Sequence, residues 1–102
     1  MRLTAPRGAH SPRVTKILAQ HGFRLVSAGG NLWNYERPLP EGHSLVIADT
    51  DGQAPMRMSD ATHLYLFTAD RAEPKAEHTF LNVNAALTFV QRTRYRRRRT
   101  RQ

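Results

Sequence analysis

The residues that could do chemistry in this chain fall into three groups. The first is the eight carboxylates, among them two close pairs, Glu36 with Glu41 and Asp49 with Asp51. Paired carboxylates can divide acid and base duties between them. Neither pair has a nucleophile or an oxyanion-stabilising group beside it, so both read as solvated surface. "DTDG" (49–52) opens like a calcium loop, but the later acidic ligands and the closing glutamate of such a loop are missing. Turn chemistry is the simpler reading. The second group is five scattered histidines, His10, His21, His43, His63 and His78. No two stand four apart on one helix, and the chain has no cysteine to complete a zinc site. No metal, no cofactor and no catalytic residue is expected, and the protein reads as a non-enzyme.

The third group is arginine with aromatic residues around it. "QRTRYRRRRTRQ" (91–102) holds seven arginines in ten positions: Arg92, Arg94, Arg96, Arg97, Arg98, Arg99 and Arg101. Such a run repels itself and calls for an anionic partner. Phosphate suits it, because the guanidinium fork pairs phosphate oxygens bidentately. The expected partner is therefore nucleic acid, RNA first, gripped by its backbone without sequence specificity. Tyr95 could stack on a base. Trp33 and Tyr35 alternate on one strand face, and Tyr65 and Phe67 repeat the pattern further on. Exposed, such pairs form a stacking platform for bases or anchors for a protein partner. Buried, they are core, which is the commoner fate of aromatics in a domain of this size. Trp33 and Tyr35 are the candidate aromatic contact face.

The formal charge of +8 is confined to the ends. Arg2, Arg7 and Arg13 lie at the start and the seven arginines at the finish. Between them six basic residues face eight acidic ones, a net of −2. A folded nucleic-acid surface usually carries its own basic stripe, and this middle does not.

The elements that must position these residues fit one domain. Residues 1–10 read as a flexible arm, 11–91 as a single α+β domain and 92–102 as an Arg-rich tail. Ser11 is a good N-cap and Pro12 fits the first helical position. Val14, Ile17, Leu18 and His21 follow helical spacing, and Gly22 can close the helix in a left-handed conformation with Phe23 packing back. "FRLVSA" (23–28), "LWNYER" (32–37) and "HSLVIA" (43–48) read as strands, with Gly29-Gly30-Asn31 as a hairpin turn. "MRM" (56–58) could add a short edge segment. "THLYLFTA" (62–69) fits a strand better than a helix capped by Asp60, and "DRAEPKAE" (70–77) reads as a polar loop. A final helix is capped by Asn82, with Leu81 in a staple position, and buries Val83, Ala86, Leu87 and Val90. The prediction is an N-terminal helix, an antiparallel sheet of three to four strands and a C-terminal helix. The basic N-terminus has no apolar run behind it and no stretch is long enough to span a bilayer. A soluble cytoplasmic protein of bacterial or phage type, without membrane contact, is expected.

The segment "VTKILAQHGFRLVSAGGNLWNYER" resembles the opening of the HicA-type mRNA interferase toxins over residues 13–37. Those proteins begin with a helix ending in a "GF" step, then a strand, a glycine-containing turn and a second strand. The resemblance implies a double-stranded-RNA-binding-like α-β-β-β-α fold. The family's catalytic histidine follows a Gly-Ser step at that turn. Here Gly30 is followed by Asn31, Leu32 and Trp33, so the histidine is missing and RNA cleavage is not expected. A rival reading is an inhibitor or adaptor of phage or plasmid type. It would dock on an acidic or nucleic-acid-binding protein, its arginines occupying a groove meant for nucleic acid.

Overall fold

The computed structural model describes residues 8, 10–70 and 73–93. Helix α1 (Pro12–Ala19) is followed by strands β1 (Arg24–Gly29), β2 (Leu32–Pro38), β3 (Ser44–Ala48), β4 (Thr62–Phe67) and β5 (Pro74–Phe80), and then by helix α2 (Val83–Thr93). The class is α+β. The sheet has five strands rather than three or four, all antiparallel, in the order β1-β2-β3-β4-β5.

Local chemistry explains most boundaries. The Ser11 hydroxyl accepts the Val14 N–H at 3.4 Å, and Pro12 follows it at the helix start. At the far end Gly22 adopts φ 85°, and the Phe23 N–H returns to the Leu18 carbonyl at 3.0 Å. Gly22 is required twice over. A side chain there would be strained in φ, and its Cβ would stand 3.3 Å from the Arg37 Cδ. Arg37 is itself buried and donates from Nη1 to the His21 carbonyl at 3.4 Å.

Strand β5 corrects the reading of 70–77 as a loop. "PKAEHTF" has weak strand character because it is an edge. Only Ala76, His78 and Phe80 face the helices, and Lys75 and Glu77 keep the edge wet, a common protection against further pairing. Residues 56–58 are not a strand either. They form a loop folded around Asp60, whose Oδ2 accepts the Met56 and Arg57 N–H groups at 2.9 and 3.0 Å. The Met58 carbonyl accepts the Val83 N–H at 3.0 Å, which ties this loop to the start of α2. Asn82 does cap α2, its Oδ1 accepting the Ala85 N–H at 2.8 Å. Leu81 is 88% exposed and makes no staple.

Both helices pack on one side of the sheet. Residues directly opposite across strands share a face, so the rows Leu25–Tyr35–Ile47–Leu64 and Arg37–Leu45–Leu66 look the same way. They meet Val14 and Leu18 from α1 and Val83, Leu87 and Val90 from α2 in one core. The alternate residues look away from the helices, and no element among the described residues covers them.

Candidate functional site

The helix-covered face decides the fate of Trp33 and Tyr35. Both point into it. Tyr35 is fully buried, and its hydroxyl lies 2.8 Å from the Thr15 Oγ1 on α1. Burial raises the Tyr35 pKa above its ordinary 10, and the Thr15 hydrogen bond opposes the rise. Trp33 is 9% exposed at the rim of the same face. Its backbone N–H donates to the Gln53 Oε1 at 3.3 Å. Neither side chain is placed to stack on a base, so the candidate contact pair is core. The two faces of an alternating strand look alike in sequence, and what buries one of them is the position of two helices remote from it.

The uncovered face carries the second aromatic set. His63, Tyr65 and Phe67 form a row along β4, with ring centroids 6.0 Å apart for the first pair and 6.1 Å for the second. Val26, Asn34, Glu36, Val46, Ala48, Tyr65 and Phe67 line a shallow groove of about 450 Å³. The Asp49–Gln53 turn closes one end. The Asp49 Oδ1 accepts the Asp51 and Gln53 N–H groups at 2.8 and 2.9 Å, and the Gly52 carbonyl accepts the Asn34 Nδ2 at 3.5 Å. "DTDG" is thus a turn, its carboxylate spent on backbone donors.

On β5 the Glu77 carboxylate lies 3.6 Å from the His63 Nδ1 and is 51% exposed. The Thr79 hydroxyl meets the same nitrogen at 3.4 Å. The Glu77 carboxylate and the Thr79 hydroxyl both lie beside this one ring nitrogen. Tyr65 has its pKa raised, first by burial and then by the charge of Glu77. A phenol held protonated beside a carboxylate offers an aromatic face next to a negative charge, which suits a cation rather than a phosphate. The sequence signal for this face was the contrast within β4. Leu64 and Leu66 are the aliphatic partners the core takes, which leaves Tyr65 and Phe67 for the wet side.

The two carboxylate pairs do not assemble. Glu36 lies in the groove and Glu41 on an exposed turn with φ 63°. Among the described residues no three of His, Asp and Glu gather where they could hold a metal ion, and no helix is long and apolar enough to cross a membrane. Arg92 is exposed in the last turn of α2, where a cation complements the helix dipole. Arg94, Tyr95, Arg96, Arg97, Arg98, Arg99 and Arg101 lie outside the described residues. No family model, no curated protein and no solved structure matches this chain.

Proposed function

We propose that this is a non-enzymatic, cytoplasmic binding protein whose arginine run, Arg92 to Arg101, engages the phosphate backbone of nucleic acid without reading its sequence. The observation that carries the reading is the charge partition. Seven arginines in ten residues follow residues 14–91, which are net −2, so electrostatic attraction for a polyanion resides mainly in the run. The likeness of residues 13–37 to an RNA-cleaving family favours RNA, and the missing histidine favours binding over cleavage. The test is the salt dependence of binding to oligonucleotides of unrelated sequence. With about five phosphates neutralised, the slope of log K against log salt is about −3.5 for single strands and about −4.5 for duplex DNA. Replacing Arg96 to Arg99 with alanine weakens all sequences alike and flattens that slope. Absence of binding at low salt, or tight binding that persists at high salt without the run, overturns the reading.

The groove beside Glu77 favours a second reading, in which the protein docks on another protein as an inhibitor or adaptor. Its mark is a partner that survives nuclease treatment of a native pull-down.

A further inference from the structure

We propose that the outer edge of β1 pairs antiparallel with β1 of a second copy of this chain, joining two five-stranded sheets into one. The two edges of the sheet are built differently. Strand β5 begins at Pro74, which has no N–H to offer, and carries the charges of Lys75 and Glu77. Strand β1 has Arg24 at its start and a register irregularity between Ser27 and Gly29 at its end. Between those two features Leu25, Val26 and Ser27 bring no charge and no proline, and among the described residues no strand pairs with their outer side. An edge left in that state is a template for another strand.

The ladder inside the sheet fixes which backbone groups face outward. The Trp33 N–H donates to the Gln53 Oε1 at 3.3 Å. Gln53 follows β3, so that N–H points away from β1. Antiparallel residues exchange ladder bonds at every second position, so Asn34–Val26 and Glu36–Arg24 are the bonded pairs of β1 and β2. The N–H and C=O groups of Leu25 and Ser27 therefore point out of the sheet. Phe23 shares their phase, but its N–H already donates to the Leu18 carbonyl at 3.0 Å. The open set is self-complementary. With Val26 on a two-fold axis, Leu25 of each copy faces Ser27 of the other, and each such pair exchanges two hydrogen bonds, four in all. Moving the axis to Leu25 sets Ser27 against Phe23 and leaves the Ser27 carbonyls open. Moving it to Ser27 sets Leu25 against Gly29, beyond the irregularity. In the Val26 register the two valines meet on the uncovered face, and the two Arg24 Cα atoms stand about 14 Å apart, so no like charges collide. Five residues a side make an interface below the usual range of about 1,200–2,000 Å², and a dimer with a Kd of about 100 μM is expected. Pairing puts two arginine runs in one particle, a consequence that rests on the proposed function, whereas the seam itself does not.

The chain has no cysteine, so single cysteines in the full-length protein report the seam and its register. Facing residues of a non-bonded antiparallel pair have Cα atoms about 4.5 Å apart, within disulfide reach. Under mild oxidation Val26→Cys is expected to link two copies at least about tenfold faster than Arg24→Cys on the same edge or Thr79→Cys on the opposite one, because the seam brings only position 26 against itself. Sedimentation of the nuclease-treated parent is expected to show reversible dimerisation. It tightens between about 10 and 150 mM salt, because each copy carries +8 and screening shortens from about 30 to about 8 Å. Ser27→Pro removes an outward N–H from the seam and none from the β1–β2 ladder, and Val26→Lys sets two cations face to face. Each is expected to leave a folded monomer, checked by circular dichroism, and Val26→Lys decides if Ser27→Pro fails to fold. Equal linking rates at the three positions overturn the seam, as does a parent that stays monomeric at about 1 mM. A folded Val26→Lys variant that dimerises like the parent overturns it too. So does a dimer that is lost on nuclease treatment or weakens as salt rises, since nucleic acid then bridges the copies.

Discussion

Leu18 and Tyr35 show how much one side chain carries here. Leu18 is fully buried between α1 and the sheet. Leu18→Ala leaves a cavity that costs about 2–5 kcal/mol, a large share of the roughly 5–15 kcal/mol typical of a domain. Chemical denaturation is expected to show that loss, and a change below about 0.5 kcal/mol would mean α1 does not pack as described. Tyr35 contributes to the alkaline limit. Its folded pKa lies above the unfolded value of about 10, so the stability it contributes is fully present below pH 10 and is lost as pH rises through the folded value. Tyr35→Phe should flatten the fall in stability above pH 10, and an unchanged alkaline profile would show that the phenol ionises freely in the folded state. Leu18 was legible from helical spacing alone. The burial of Tyr35 was not, because spacing says that two aromatics share a face and not which face the helices will cover.

Elements whose ends are set by near neighbours in sequence were the readable ones. Ser11, Pro12, Gly22 and Phe23 bracket α1 through contacts within one turn, and the boundary follows from them. Asn82 does the same for α2, and Asn82→Ala is expected to cost about 0.5–2 kcal/mol, seen as a lower midpoint in thermal unfolding. No loss would mean that the Met58 carbonyl, accepting from Val83, holds the helix start unaided. Strand β5 lacked any such local mark. Its pairing partner is β4, its charged outer residues belong to an edge, and of its inward residues Ala76, His78 and Phe80 only Phe80 is a strong strand former. Only the ladder with β4 makes it a strand. The start of α2 likewise depends on a partner distant in sequence, the Met58 carbonyl that accepts the Val83 N–H, while Leu81 stands in solvent.

For the molecule as a whole, body and basic run are expected to separate cleanly in stability. The apolar stripe of α2 ends at Val90, and Gln91, Arg92 and Thr93 are exposed. Deleting residues 96–102 should move the melting temperature by less than about 4 °C, because surface changes usually stay within about 0.5 kcal/mol. A larger drop would place arginines inside the fold's own support. The strand order has a kinetic consequence of its own. Every strand pairs with its sequence neighbour, so the sheet grows by adding hairpins, without threading a distant segment between two formed strands. The entropy of closing each hairpin rises only with the logarithm of its loop, and the longest of these loops, 49–61, is already shortened by the Asp49 and Asp60 carboxylates, which gather backbone donors on either side. A topology of such local pairings favours rapid assembly, and the joining of the β1-β2-β3 and β4-β5 halves across that loop becomes its natural slow step.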